Sequence, residues 1–362
     1  MNTLRLHLSH LDHNYKVIRS LMNPNTEFIA VVKANAYGSN AVVIAKQLEK
    51  LGVNALAVAY AQEGKILRTA GIKIPILVFY PQIEGLSTLL EFGLEPCLYS
   101  ANLLIAFRSL LEKRQQDSYS VHIKYNTGLN RVGFTQEQTP WLLEQLQESP
   151  FHLKSVYSHL AASEVDKDDP LSKKQIQAFL SLKKQYELGL NEKPKFHLLN
   201  SSGLFNYPEY QFDAVRCGIA LHGYANKKMW DQKLKPFASL TSKICQIHQV
   251  KKGDFVGYNH GWKAPKEATI ACLPIGHADG IGRHFGHGKA QVSIGNKKAP
   301  TVGNIFMDML MVDISGIKCK EGDEVVFFDK SATANLFAKG AATISYEVLT
   351  SLGNRIERII EP

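Results

Sequence analysis

The chain has 362 residues, of which 45% are hydrophobic and 21% charged, and its formal net charge is +9. This length and composition fit two globular domains with sizeable cores and exclude a disordered chain. There is no apolar stretch long enough to span a bilayer, no signal-peptide pattern, and no basic motif interleaved with aromatic residues. We therefore expect a cytoplasmic protein with neither a membrane nor a nucleic acid as partner.

The cysteine pattern argues against covalent or metal cross-links. The chain has five cysteines, an odd number, and none of them forms a CxxC pair: Cys97, Cys217, Cys245, Cys272 and Cys319. Disulfide frameworks and zinc sites both require closer or paired spacing. We expect buried free thiols and no metal site.

Short apolar runs alternate with longer amphipathic segments from residue 28 to about 220. Eight of these runs are predicted strands: Phe28–Lys33, Asn54–Tyr60, Ile74–Phe79, Glu95–Leu98, Ser120–Tyr125, Leu153–Ser158, Phe196–Leu199 and Phe212–Arg216. This alternation is typical of βα units in a parallel sheet, and eight units are the number in a TIM-type (β/α)₈ barrel. Because the fourth run is weak, an open doubly wound sheet is the alternative.

The pattern changes after a polar, lysine-rich linker at Ala225–Pro236. Strands separated by turns follow, with little helix: Thr241–Val250, Ala268–Leu273, Ala290–Ile294, Leu310–Ile314 and Glu324–Phe328. Leu4, Leu6 and Leu8 alternate with polar residues, so a first strand is expected to join this mainly β part. The prediction is a barrel domain over residues 10–228 and a C-terminal β-rich domain formed by residues 1–9 and 229–362.

Lys33 ends the first predicted strand, at the rim of the barrel core. An ammonium group there loses hydration, which lowers its pKa and favours the neutral amine that Schiff-base chemistry requires. The alternative is a lysine that reaches solvent or pairs with a carboxylate.

Further polar residues follow the later barrel strands. The loops after strands seven and eight commonly bind phosphate in this fold, and they contain Ser201, Gly218 and Ile219. The Tyr37 phenol is placed to join them. A strand-end lysine together with a phosphate site favours a phosphorylated carbonyl cofactor, which is the chemistry of pyridoxal 5'-phosphate.

The segment Ala30-Val31-Val32-Lys33-Ala34-Asn35-Ala36-Tyr37-Gly38 resembles the cofactor-lysine motif of the alanine racemases, fold-type III pyridoxal-phosphate enzymes. Further matches follow in order: Lys124…Thr127-Gly128…Arg131-Val132-Gly133, Ser158-His159, Asn200-Ser201, Arg216-Cys217-Gly218-Ile219-Ala220-Leu221-His222-Gly223, Gly257-Tyr258, Pro274-Ile275-Gly276-His277-Ala278-Asp279-Gly280, Met307-Asp308 and Ser345-Tyr346-Glu347. The resemblance covers nearly the whole chain. It implies a homodimeric racemase that interconverts L- and D-alanine, a peptidoglycan precursor.

The resemblance also implies roles for individual residues. Lys33 is expected to carry the cofactor as a Schiff base and to act as one acid/base, with Tyr258 of the partner subunit as the second base. His159 and Arg216 are expected to support Tyr258, and Arg216 to face the pyridine nitrogen. The remaining implied sites are cofactor binding by Tyr37, Ser201, Gly218, Ile219 and Tyr346, substrate binding by Arg131, Met307 and Asp308, a carbamylated Lys124 that orients Arg131, and supporting positions for Asn200 and His197.

The sequence departs from the family pattern at His277, Asn304, Ser39 and Asn126, where tyrosine, arginine, histidine and aspartate are common. In the family, the positions of His277 and Asn304 belong to the substrate corridor, where Arg283 is retained. The identity of the amino-acid substrate is therefore open. Racemisation of another small amino acid such as serine is one alternative, and decarboxylation on the same scaffold is another.

Two further alternatives lie outside this family of reactions. A cofactor-binding carrier can be a bare barrel, and it would need neither the second domain nor Tyr258. A class I aldolase also uses a barrel lysine, but it would not need the phosphate cradle for a bound cofactor.

Overall fold

Two sheets organise the computed structural model, which describes residues 2–147, 149–165, 167–225 and 227–362. Asn226 of the predicted linker and Met1 of the predicted second domain lie outside the described residues. Glu148 and Asp166 of the predicted barrel domain also lie outside them.

The first sheet is a parallel barrel. After β1 (Thr3–His7) come its eight strands: β2 (Glu27–Val31), β3 (Ala55–Val58), β4 (Ile76–Val78), β5 (Glu95–Leu98), β6 (Tyr119–Lys124), β7 (Phe151–Tyr157), β8 (Lys195–His197) and β9 (Ala214–Cys217). Their order is β8-β7-β6-β5-β4-β3-β2-β9. The two end strands meet through backbone hydrogen bonds from Asp213 to Phe196 (2.9 Å) and from Arg216 to Leu199 (3.0 Å). The predicted barrel is confirmed, and the doubly wound alternative is wrong.

Amphipathic helices connect the strands. They are α1 (Leu8–Ser20), α2 (Ala41–Lys50), α3 (Ala61–Thr69), α4 (Leu86–Glu91), α5 (Ala101–Lys113), α6 (Thr139–Leu146), α7 (Pro170–Gly189) and α8 (Ser201–Asn206). In α2, Ile44, Ala45 and Leu48 share the buried face, and the Asn40 side chain caps the first turn. Within the described residues, the helices all fall short of the length and hydrophobicity of a membrane span.

The second sheet has nine strands and is mainly antiparallel. This part of the chain contains β10 (Ala238–Lys243), β11 (Gln246–Val250), β12 (Phe255–Val256), β13 (Trp262–Lys263), β14 (Ala268–Leu273), β15 (Gln291–Ile294), β16 (Lys297–Val302), β17 (Leu310–Asp313), β18 (Glu324–Phe328) and β19 (Glu357–Glu361). The sheet order is β11-β14-β17-β16-β15-β18-β10-β1-β19, while β12 and β13 form a separate pair. Because β1 lies between β10 and β19, the start of the chain is part of the second sheet.

Three details differ from the sequence prediction. The predicted strand Thr241–Val250 is two strands, because β10 pairs with β18 whereas β11 pairs with β14. A short helix, α9 (Lys228–Asp231), lies in the predicted linker, and the second domain also contains helices, which are α10 (Ala334–Gly340) and α11 (Ser345–Thr350). All five cysteines are free, but only Cys97 and Cys217 are buried.

The barrel and the second domain approach each other closely at Gly38. This residue ends the turn after β2 and has a φ of +76°, and a Cβ atom there would clash with the backbone carbonyl of Leu349 in α11. The chain therefore needs glycine at this position both for its conformation and for the contact between the two domains.

We expect Gly38→Ala to lower the free energy of unfolding much more than Gly52→Ala. Gly52 has a similar φ of +82° but no atom within 4 Å of an added Cβ atom. Gly52→Ala thus measures the free-energy cost of the left-handed conformation alone, which should be about 1 kcal/mol. Gly38→Ala adds a backbone clash and should lower the free energy of unfolding by about 3 kcal/mol or more. Urea denaturation measures the free energy of unfolding of both variants. Equal decreases in the two variants would contradict the contact between the domains at Gly38.

Candidate active site

A cavity of about 240 Å³ lies at the C-terminal ends of the barrel strands. The predicted site residues that line it are Lys33, Tyr37, Lys124, Arg131, His159, Asn200, Ser201, Arg216, Gly218, Ile219 and, from α11, Tyr346. Val31, Phe79, Tyr80 and Tyr157 complete the lining, and sequence reasoning had not assigned these four to the site. One cavity therefore gathers the residues that the motifs had placed along separate loops.

Lys33 lies at the start of an unusual turn. β2 ends at Val31, two residues earlier than predicted, and the four residues Ala34 to Tyr37 all have φ between +50° and +55°. A left-handed turn of residues other than glycine is unfavourable by about 1–2 kcal/mol per residue, so neighbouring groups must stabilise it.

The Glu63 carboxylate is one such group. It accepts hydrogen bonds from the backbone N–H groups of Ala34 (2.6 Å) and Ala59 (2.7 Å), and thereby joins the turn to the loop after β3. Sequence reasoning missed Glu63. The available signal was its position three residues after Tyr60 at the start of α3, where a glutamate commonly reaches back to the backbone.

The pKa of the Lys33 amine is lowered, which is the direction that its position at the strand end predicts. Burial is the main reason that its pKa lies below the ordinary value, and the Arg131 guanidinium lowers it further, while Glu63 acts in the opposite direction. A lowered pKa makes the neutral amine more accessible at physiological pH.

A set of hydrogen-bond donors lies at the ends of β8 and β9. The Ser201 hydroxyl accepts from the N–H groups of Gly218 (3.2 Å) and Ala220 (3.4 Å), and it also interacts with the Cys217 thiol. Ile219 begins a short 3₁₀ helix, where the first N–H groups have no partner within the helix. A Cβ atom at Gly218 would clash with the Tyr37 hydroxyl, so glycine is needed for the phenol to lie here.

Arg216 is buried and anchored from several sides. Its Nη1 donates to Nδ1 of His197 (2.6 Å), and its Nη2 donates to the carbonyls of Ser158 (2.7 Å) and Leu198 (2.9 Å). Burial lowers the pKa of Arg216 to about 10, so it stays charged at neutral pH. Nε takes part in none of the hydrogen bonds found among the described residues, and it is therefore the donor left for a ligand.

Lys124 lies beside two arginines without a carboxylate partner in the cavity lining. Burial lowers its pKa to about 7, and the charges of Arg216 and Arg131 contribute to the decrease. Its Nζ lies 5.2 Å from the centre of the Tyr157 ring, and the Arg216 guanidinium lies 5.1 Å from the same ring. Tyr157 thus provides an electron-rich face for both cations.

His159 is neutral in this environment. Burial and the charges of Arg216, Lys124 and the other nearby cations hold its pKa well below the ordinary value. Arg216 donates to its Nδ1 at 3.4 Å, and because a guanidinium only donates, the imidazole proton resides on Nε2.

Tyr258, Met307 and Asp308 do not line the barrel cavity. They line a cleft of about 630 Å³ in the second domain, together with His277, Arg283 and Asn304. Tyr258 is 74% exposed and Met307 is 59% exposed. Within a single chain, the structure therefore separates these three predicted site residues from Lys33.

Two hydrogen-bond networks shape this cleft. Arg355 donates to Asp308 (2.7 Å) and binds the buried Asp279 through two nitrogens (2.9 and 3.0 Å). Asn304 accepts from Arg283 (2.9 Å) and donates to the carbonyl of Tyr258 (3.3 Å). Asn304 thus connects Tyr258 to the wall of the cleft.

The other two departures from the family pattern lie near the barrel mouth. Asn126 accepts from the N–H groups of Gly128 (3.2 Å) and Asn130 (2.9 Å), so it closes the loop that leads to Arg131. Ser39 is buried at the end of the turn that contains Lys33, and its hydroxyl has no partner among the described residues.

Comparison with known proteins gives one consistent result. The N-terminal domain model of alanine racemase matches residues 6–226, and its C-terminal domain model matches residues 237–360. Alanine racemases from Treponema denticola and Thermodesulfovibrio yellowstonii are 35% and 34% identical, and each match covers 98% of this chain and 96% of the relative.

Solved structures agree with this result. Alanine racemase from Clostridium difficile 630 superposes with a TM-score of 0.91 at 30% identity, covering 99% of this chain and 95% of that chain. The enzyme from a D-cycloserine-producing Streptomyces lavendulae gives 0.94 at 27% identity, covering 100% and 97%.

Proposed function

The chain belongs to the alanine racemase family, and is thus an amino-acid racemase, an isomerase; we propose that it interconverts L- and D-alanine with pyridoxal 5'-phosphate as cofactor. The observation that carries the proposal is the barrel cavity, which combines a lysine of lowered pKa with a set of anion-binding donors. D-Alanine for peptidoglycan is the product that follows from the proposal, and a cytoplasmic location stays a prediction.

The residues present fit this cofactor. Ser201, Gly218, Ile219, Tyr37 and Tyr346 would hold its phosphate, and Lys33 would bind its carbonyl carbon. Among the described residues, the cavity lining carries four cationic side chains and no acidic ones, which suits an anionic ligand. When bound, pyridoxal phosphate withdraws electrons from the substrate Cα and makes the α-proton removable.

Arg216 has a distinct role in this proposal. Its free Nε would donate to the pyridine nitrogen, and the guanidinium keeps its own proton because it is charged at neutral pH. By keeping its proton, Arg216 would leave the pyridine nitrogen unprotonated, which would favour return of the proton to Cα over side reactions.

Two bases would handle the α-proton. Lys33 would act on one face of Cα, and Tyr258 of the partner subunit on the other. Exposure of Tyr258 and its separation from Lys33 within one chain support a homodimer with shared sites. The proton on Nε2 of His159, fixed by Arg216, is available to stabilise the Tyr258 phenolate.

The substrate carboxylate would bind to Arg131 of one subunit and to the second-domain cleft of the partner subunit. The Met307 N–H donates no hydrogen bond within the part of the chain that is described, and Asp308 lies beside it, held by Arg355. His277 and Asn304 line the same cleft, so the second domain is where a preference for alanine over serine would be set.

The proposal predicts that incubation with L-alanine yields D-alanine until both enantiomers are equal. L-Serine and L-leucine should be converted at least about tenfold more slowly, since extra atoms must fit beside Asp308. Chiral chromatography measures this, with Lys33→Ala as the inactive control that also loses the cofactor absorbance. Faster turnover of serine, or release of CO₂, would favour the alternative enzymes.

Lys124 is proposed to react with CO₂ to form a carbamate. The neutral amine attacks the carbon of CO₂, forming an N–C bond with loss of one proton to water. A pKa of about 7 makes this amine available at neutral pH, and Arg131 and Arg216 would stabilise the negative product. Asn200, which lines the same cavity, and His197, which accepts a hydrogen bond from Arg216, would support this part of the barrel.

We expect a carbamate ¹³C resonance in protein equilibrated with ¹³C-bicarbonate at pH 8. The resonance should be absent from Lys124→Ala and present in Lys154→Ala, which removes an exposed lysine of β7. Lys124→Ala should also lower kcat about tenfold, because Arg131 loses a charged partner. A resonance that persists in Lys124→Ala would contradict the assignment.

A further inference from the structure

A chain of buried polar side chains crosses the barrel beneath the candidate active site. It takes one residue from each of five consecutive strands, β5 to β9: Glu95, His122, Ser155, His197 and Arg216. Arg216 lines the upper cavity, and the other four line a second cavity of about 120 Å³ at the N-terminal ends of the barrel strands. The chain therefore connects the active-site cavity with the opposite side of the barrel core.

Four hydrogen bonds of 2.6 to 3.0 Å join these residues. Arg216 Nη1 lies 2.6 Å from His197 Nδ1, and His197 Nε2 lies 2.8 Å from the Ser155 hydroxyl. That hydroxyl lies 2.6 Å from His122 Nδ1, and His122 Nε2 lies 3.0 Å from a Glu95 carboxylate oxygen. The four inner residues are at most 5% exposed, and the Glu95 side chain is 16% exposed.

The chemistry of its two ends, with a neutral His122 between them, gives this hydrogen-bonded chain one direction. A guanidinium only donates, so His197 Nδ1 accepts and the His197 proton is on Nε2. Nε2 then donates to Ser155, whose hydroxyl donates to His122 Nδ1. The His122 proton is consequently on Nε2 and is donated to Glu95. All four bonds point from Arg216 to the carboxylate, and aligned bonds strengthen one another.

Two further observations agree with this direction. Burial and the adjacent Arg216 charge hold the pKa of His197 well below its ordinary value, so its ring is neutral, as the chain requires. Although burial alone would raise the pKa of Glu95, the hydrogen bond from His122 and the charges of Lys154 and Arg68 lower it below its ordinary value, which favours the ionised carboxylate. The His197 ring is also stacked on Tyr157, with 4.8 Å between centroids and 5° between planes.

We propose that Glu95, His122 and Ser155 are positioning residues that act through His197 on Arg216. The negative charge of Glu95, transmitted by the oriented chain, makes His197 Nδ1 a better acceptor and stabilises the guanidinium. Arg216 then retains its protons at the position where, under the proposed function on which this inference rests, it faces the pyridine nitrogen. The remote carboxylate thereby favours racemisation over transamination.

Two variants interrupt the chain at different points. Ser155→Ala removes the central hydroxyl with little change in volume, and Glu95→Gln retains an acceptor for His122 but removes the charge. Ser172→Ala is the matched control, since Ser172 is a buried serine of α7 whose hydroxyl has no partner among the described residues. Thermal unfolding of each variant verifies that it is folded.

The first readout is independent of turnover. In ¹⁵N-histidine-labelled protein purified with its cofactor, the Nε2 proton resonances of His197 and His122 are assigned with His197→Gln and His122→Asn. We expect Ser155→Ala to shift the His197 resonance upfield, because its acceptor is lost, and Glu95→Gln to shift that of His122. Unchanged histidine resonances in both Ser155→Ala and Glu95→Gln would overturn the proposed chain of hydrogen bonds.

The second readout is the ratio of pyruvate formed to alanine racemised. We expect this ratio to rise roughly tenfold in Ser155→Ala and in Glu95→Gln, with KM for alanine changed less than about twofold, and no change in Ser172→Ala. An unchanged ratio in both Ser155→Ala and Glu95→Gln would overturn the positioning role of Ser155 and Glu95. An equal rise in Ser172→Ala would overturn it as well. If the unaltered protein does not racemise alanine, the proposed function fails, while the histidine resonances still test the chain.

Discussion

Concentrated positive charge at the mouth of the barrel is the constraint on which the rest of the site depends. Lys33, Lys124, Arg131 and Arg216 line one cavity of about 240 Å³, and none of the described residues in its lining is acidic. Burial is the main reason that the pKa values of both lysines and of His159 lie below their ordinary values, and repulsion between the like charges lowers them further. Such a cavity is suited to anions: a cofactor phosphate, a carbamate and a substrate carboxylate.

The barrel holds these charges in place through contacts that lie outside the cavity. Glu63 fastens the left-handed turn after Lys33, and Gly38 lets that turn approach α11, which carries Tyr346 into the site. Below the cavity, His197 and its neighbours anchor Arg216 from the barrel core. The lysine, the phosphate-binding loops and the arginine are therefore fixed by three different parts of the fold.

Much of this arrangement could be predicted from the sequence. The apolar runs indicated all eight barrel strands, because strands covered on both faces are continuously hydrophobic, and the carboxyl ends of parallel strands meet at one side. That geometry was sufficient to place Lys33, Ser201 and Arg216 together. The left-handed turn was not predictable, since Ala34 to Tyr37 contain no glycine to indicate it.

Other features depend on tertiary or quaternary contacts that no local pattern contains. Glu95, His122 and Ser155 occupy separate strands, and only the barrel register aligns them. The separation of β10 from β11 follows from their different partner strands. Tyr258 lies in a different cleft from Lys33, so its predicted role requires a second subunit.

The composite, two-subunit site is the central claim, and heterodimers test it most directly. Lys33→Ala and Tyr258→Phe chains carrying different affinity tags would be co-expressed, and only mixed dimers retained by two successive purifications. One site then has both intact bases and the other has neither, so about half of the unaltered activity is expected, while each variant alone is inactive. Inactive mixed dimers, or a Tyr258→Phe homodimer that racemises alanine normally, would contradict the account.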